Sequence, residues 1–147
     1  MPKHENLELL RSALARYNAR DLDGYLVMYD HAVIFHGFSK HLKPGLPGLR
    51  DHFTNLWKAF PDMRTTSEDM IAEEEKIAHR FTFYGTHSNE YMSVAPTKKF
   101  VMVPGQIIHS FKKGKCTEVW QSVDNLSFLT QIGAIPALSR TSPSVAR

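Results

Sequence analysis

The segment from Gln106 to Gly133, QIIHSFKKGKCTEVWQSVDNLSFLTQIG, limits the possible folds more than any other part of this 147-residue chain. Two strand-like runs, Val101 to Phe111 and Lys115 to Val123, flank Lys113-Gly114, which reads as a tight turn. A short apolar helix is expected directly afterwards, over Asn125 to Ile132, with Gly133 ending it. His109, Trp120 and Asp124 therefore sit on, or at the mouth of, a single hairpin. A small domain gathers distant side chains into one pocket in this way.

Upstream, the periodicity is first helical and then strand-like. Leu7, Leu10, Leu14 and Tyr17 form one apolar stripe and predict a helix over Glu5 to Ala19. Asp21 reads as the N-cap of a second helix, Leu22 to Tyr29. AVIFHG, from Ala32 to Gly37, reads as a strand, and SKHLKPGLPG as a loop. A third helix is predicted over Leu49 to Phe60, stopped by Pro61. The period then falls to two over Thr65 to Glu73 and Lys76 to Thr86. Helices first and long antiparallel strands second predict an α+β fold, with helices packed on one face of a curved sheet. Such a sheet closed over by helices makes a cone whose mouth is a pocket. Length alone predicts one domain, residues 1–136, followed by a frayed Ser/Pro-rich tail over 137–147.

Composition removes several classes of function. The excess of 18 basic over 15 acidic residues is small and scattered, so no nucleic-acid partner is expected. The single cysteine, Cys116, excludes an intrachain disulfide and a multi-cysteine metal site. No apolar run approaches the roughly 20 residues of a membrane span, so no membrane partner is expected. The N-terminus lacks the basic-then-apolar order of a secretory signal, and the expected location is the cytoplasm. His31, His36 and His41 cross three different elements, which is not a ligand pattern, so no metal is expected. Phosphate-binding, dinucleotide and Gly-x-Ser-x-Gly signatures are absent.

Each candidate residue has a structural reading beside its chemical one. His109 shares a strand face with Ile107 and Phe111. It is either a core histidine with one partner or a neutral imidazole ready to take a proton. Asp124 is placed to cap the last helix, and would serve catalysis only if its second oxygen reached the cavity. Gln121, between Val119 and Val123, is a buried hydrogen-bonder or a cavity-lining residue. On the strand over Lys76 to Thr86, His79, Phe81 and Phe83 share one face, and Ala78, Arg80, Thr82 and Tyr84 the other. Parity alone does not decide which face turns inward. For Arg80 the structural alternative is an ion pair with Glu73, Glu74 or Glu75.

The ordered series NARDLDGYLVMY, VIFHG, GLRDHFTNLWKAFPD, RFTFYGTHSNEYM and GKCTEVWQSVDNLSFLTQIG resembles the SnoaL-like polyketide cyclase family, of the NTF2-like fold. The resemblance runs from about Leu7 to Gly133. It implies a cone-shaped α+β barrel around a hydrophobic cavity, a homodimer or homotetramer, and a hydrophobic small-molecule substrate. It also implies cofactor-free acid–base chemistry that closes a polyketide ring by aldol condensation. In the family the acid/base is an aspartate one residue after the tryptophan-like position of the last long strand. Trp120 fills that position here and Gln121 replaces the aspartate. An amide hydrogen-bonds but does not carry a proton. By resemblance, Tyr17, His36, His52 and Arg80 are expected to bind substrate, with His109 and Gln121 as catalytic candidates; Tyr84 and Trp120 join the substrate-binding candidates and Asp124 the catalytic ones from the residue pattern. Two rival functions go with the same fold. One is an epoxide-opening hydrolase built on Asp124, and the other is a non-catalytic binding or oligomerising module.

Overall fold

The computed structural model describes residues 2–137. Most of the predicted tail, residues 138–147, lies outside the described residues. The elements in chain order are α1 (Pro2–Asn18), α2 (Leu22–Leu26), β1 (Tyr29–His36), α3 (Leu46–Ala59), β2 (Arg64–Glu73), β3 (Lys76–Thr86), β4 (Phe100–Lys112), β5 (Lys115–Val123) and α4 (Asn125–Gln131). The α+β class and the order of helices and strands agree with the sequence reading.

Several boundaries differ, β1 for instance beginning at Tyr29 and not at Ala32, and three of the shifts have a clear local reason. α1 begins at Pro2 and not at Glu5, because proline is tolerated in a first helical turn, where its missing N–H has no intrahelical partner anyway. The same rule starts α3 at Leu46 with Pro47 in its first turn, inside the segment read as loop. α2 stops at Leu26, three residues early, because the next residues are drawn into the sheet. The amide of Cys116 donates to the Met28 carbonyl at 2.7 Å, and Tyr29 pairs with Cys116.

The five strands form one mixed sheet in the order β1-β5-β4-β3-β2. Only β1 and β5 run parallel. β1 and β2 remain edges, so the sheet curves without closing, and the helices complete the wall. At the tip of the β4–β5 hairpin, Lys113 and Gly114 have φ of 51° and 77°. Positive φ at both central residues of a two-residue loop matches the right-handed twist of the paired strands.

Register decides which side chains meet. Ile77, His79, Phe81 and Phe83 of β3 pair with His109, Ile107, Gly105 and Val103 of β4. His109 and Ile107 pair in turn with Val119 and Gln121 of β5. Directly paired residues point to the same face, so all of these face the helices. The core between sheet and helices contains Leu10, Tyr17, Leu49, Phe53, Phe60, Met63, Phe111 and Phe128. The opposite face carries Arg80, Tyr84, Ile108 and Trp120 toward the outside.

Candidate functional site

Between the concave face of the sheet and α1–α3 lies a chamber of about 440 Å³. Its apolar wall includes Leu14, Phe53, Leu56, Phe60, Phe81, Phe83, Val103, Ile107 and Phe128. Its polar wall comprises Tyr17, Tyr25, His52, Thr65, His79, Tyr91, His109, Gln121 and Asn125. The exposed lining residues Gly37, Ser39, Met92 and Asn125 mark the mouth. Gly37 has φ of 85°, and a side chain there would collide with the Gln121 carbonyl, so glycine lets β1 end against β5 beside Gln121. A larger open groove of about 820 Å³ lies beside the start of α1 and the β4–β5 turn. It shares no residue with the chamber and holds none of the candidates.

His109 is 1% exposed, and its Nδ1 is buried without a hydrogen-bond partner among the described residues. Loss of hydration disfavours the imidazolium, and the neighbouring His79 opposes a second charge. Together they lower the pKa of His109 to about 3, although the backbone of Ile77 offsets part of the effect. Burial likewise lowers His79 and His52 to about 4 each. His52 is held edge-on to Phe38 and Phe53, with ring centroids 5.0 and 4.9 Å apart. All three imidazoles are neutral near pH 7, each with one N–H and one lone pair.

Tyr17 is packed edge-on against Tyr25, Phe53 and Trp57. Burial raises its pKa to about 12, so near neutrality its hydroxyl is an un-ionised donor and acceptor. Its contact with the Met63 sulfur, at 3.8 Å, is weak and leaves the hydroxyl available. Gln121 makes no side-chain hydrogen bond among the described residues, leaving both amide atoms free for a guest. Since Gln121 pairs with Ile107, it lies diagonal to His109 on one sheet face, at a Cβ separation of roughly 7 Å.

The structure therefore brings together Tyr17, His52, His109 and Gln121, and it leaves the other five candidates outside the chamber. Trp120 alternates with Gln121 and faces outward, stacked on His36 at 5.4 Å with the Lys76 ammonium 5.0 Å from its ring centre. His36 pairs with Trp120 in the parallel ladder, shares that outer face, and hydrogen-bonds Glu118 at 2.7 Å. Arg80 also faces outward and forks onto Asp69 through Nε and Nη2, at 2.8 and 2.6 Å. Its partner is thus neither Glu73, Glu74 nor Glu75. Tyr84 lies on the same outer face, under the Arg64 guanidinium at 4.3 Å. Asp124 is exposed and caps α4, accepting from the Ser127 amide at 3.0 Å. The capping reading fits this geometry. The cavity-facing one does not.

The residue that sequence reasoning left unassigned is His79, which lines the chamber at 3% exposure. A signal was present. Its neighbours at alternate positions, Ile77, Phe81 and Phe83, are apolar, whereas the other face carries Arg80 and Thr82.

Helices closing over a curved sheet, with a histidine-bearing apolar chamber between them, define an NTF2-like α+β architecture. A family model for SnoaL-like polyketide cyclases matches residues 7–132. The chain belongs to the SnoaL-like polyketide cyclase family. AclR, a proposed hydroxylase from Streptomyces galilaeus, has a similar structure, with TM-score 0.82 and 25% identity over 94% of this chain and 87% of AclR. IdmH, a proposed polyketide cyclase from Streptomyces antibioticus, is similar with TM-score 0.74 and 25% identity, covering 87% of this chain and 98% of IdmH. TsrD from Streptomyces laurentii shares the fold, with TM-score 0.82 and 20% identity over 90% of this chain and 98% of TsrD. No curated protein sequence matches the chain significantly. No described helix is long and apolar enough to cross a membrane.

Proposed function

We propose that this protein is a cofactor-free cyclase or isomerase that closes or rearranges a ring of a hydrophobic, oxygenated, polyketide-type molecule. The observation that carries the reading is the convergence of His109, Gln121 and Tyr17 on one apolar chamber of about 440 Å³. That volume falls in the range of small-molecule sites. In the proposed reaction His109 accepts a proton from a carbon next to a carbonyl, and the enolate formed beside it supplies the counter-charge that the chamber lining lacks. Gln121 and Tyr17 donate hydrogen bonds to the oxygen on which charge develops. In a water-poor site one such donor stabilises a developing oxyanion by roughly 3 kcal/mol, so an amide at position 121 contributes without carrying a proton. Among the described residues the chamber lining includes no carboxylate, which gives a water-activating hydrolase no support.

The test compares wild type with His109→Leu on a panel of enolisable polyketide analogues, with unfolding measured in parallel. The variant removes an unpaired buried nitrogen while keeping an apolar side chain, so stability at neutral pH is expected to hold or rise. Turnover is expected to fall about 10²- to 10⁴-fold, the usual contribution of a general acid–base group. Full turnover in a folded variant removes His109 from the chemistry. Incorporation of heavy oxygen from labelled water into product would replace isomerisation with hydrolysis. Tight binding of analogues with no turnover would leave a carrier. The reading also includes a homodimer or homotetramer. Its support is the row of exposed apolar side chains on the outer sheet face, Ile34, Met102 and Ile108, and sedimentation at micromolar concentration tests it.

A further inference from the structure

The chamber contains a second buried imidazole that the mechanism above does not use. His79 stands one paired position from His109, with ring centroids 6.3 Å apart. A wall built from Ile77, Phe81 and Phe83 does not require a histidine, and burying one costs hydration. Its one hydrogen bond among the described residues joins its Nε2 to Ser67 Oγ, at 2.9 Å.

Ser67 reaches that nitrogen through a β-bulge. Ser67 pairs with Phe81, but the next pair along the ladder is Asp69 with Arg80, so Glu68 is an extra residue in β2. Had the register continued unbroken, Asp69 would lie opposite His79 and place a carboxylate beside the imidazole. The bulge instead turns Asp69 outward onto Arg80, puts Met70 opposite His79, and leaves the Ser67 hydroxyl as the polar partner of the ring. Re-aiming a side chain beside a site is a recurrent use of such bulges.

We propose that Ser67 is a positioning residue that holds the His79 ring through Nε2, and that His79 and His109 act as one proton-sharing pair, with one imidazole taking the proton and the other donating a hydrogen bond. This rests on the acid–base reading of the chamber and deepens it. The C–H bond next to the carbonyl breaks, and its electron pair moves onto the carbonyl oxygen. The proton resides on one imidazole, the other imidazole hydrogen-bonds the oxygen, and the proton returns to the product. No external oxidant, reductant or metal enters the balance. The pair carries at most one positive charge, because a second proton would be repelled across a short, poorly screened distance. The other titratable groups lining the chamber are Tyr17 from α1, Tyr25 from α2, His52 from α3 and Tyr91 from the β3–β4 connection. Burial raises all three tyrosines and lowers His52, so none of them supplies a compensating charge near neutrality.

Imidazole nitrogen resonances of the folded protein, followed from about pH 8 down to about pH 3, test both halves of the proposal. Wild type should show the His79 Nε2 resonance at a hydrogen-bonded shift. Ser67→Ala should move that resonance to the value of an unbonded nitrogen, and Ser67→Thr should restore it. An unchanged His79 spectrum in Ser67→Ala overturns the positioning role. In His79→Gln, His109 should take up its proton at higher pH than in wild type, and an unmoved His109 overturns the pair. Should His79→Gln not fold, His109→Gln reads the same coupling on His79. Neither arm needs turnover. Coupling without catalysis keeps the pair and ends the enzymatic reading, whereas catalysis without coupling leaves His109 acting alone.

Discussion

The two faces of this sheet put histidines to opposite uses. On the concave face His79 and His109 are sealed among aromatic and aliphatic side chains and held neutral. On the convex face His36 lies exposed between Glu118 and Trp120, and the neighbouring polar groups are paired across the surface, Arg80 with Asp69 among them. The two faces alternate along the same backbone, one residue apart. Arg80 and Asp69 on the surface satisfy one another, whereas His109 Nδ1 and the Gln121 amide in the chamber wall have no protein partner among the described residues.

Acid should reveal the difference most strongly. Unfolded histidines take up protons below about pH 6.5, whereas folded His109 resists down to about 3, and His79 and His52 down to about 4. The unfolded chain therefore binds more protons throughout that window, and stability must fall as pH drops from about 6.5 toward 4. The loss is at most on the order of 3 kcal/mol per buried histidine at the lower limit. Urea unfolding across this range should show a steep slope in wild type and a shallower one in His109→Leu. An unchanged slope in His109→Leu would mean that the buried imidazole is not what makes the fold acid-sensitive.

A neutral probe sharpens the same contrast. Phe111 and Trp120 both lie on the β4–β5 hairpin, Phe111 turned into the core and Trp120 turned out. Phe111→Ala should cost about 3–5 kcal/mol, through lost transfer energy and the cavity left behind. Trp120→Ala should cost about 1 kcal/mol, from one ring stack and one exposed cation–π contact. Thermal melts of the two variants give the ratio directly, and comparable losses would mean that the outer face is packed as tightly as the inner.

The architecture and most element boundaries were legible in the sequence because they follow from periodicity, from turn residues and from the order of the elements. The site was legible in part. Tyr17, His52, His109 and Gln121 line the chamber as expected, whereas Trp120, His36, Arg80 and Tyr84 do not. Period two already separated some of these residues. Gln121 and Trp120 are adjacent on one strand and cannot face the same way. Inward His109 implies outward Arg80 and Tyr84 once Ile77 is known to oppose His109. Cross-strand register supplies that last step, and it depends on pairing between segments distant in sequence. The β2 bulge is a further case. It moves Asp69 from the chamber to the surface, and no residue type in RTTSEDMIAE announces it.

The smallest effects are expected where a polar residue has a purely local task. Asp124→Ala removes the side-chain acceptor from the Ser127 amide at the start of α4 and should cost about 1 kcal/mol, with turnover unchanged. Arg80→Ala breaks an exposed pair with Asp69, and exposed pairs contribute about 0–1 kcal/mol, so its melt should nearly overlay that of wild type. Raising the salt concentration should shrink even that difference, since exposed charges are screened. The ranking carries the argument. If Asp124→Ala abolished turnover while Arg80→Ala and the fold stayed intact, a carboxylate at the chamber mouth would be taking part in the chemistry, and the division of labour between the two faces would have to be redrawn.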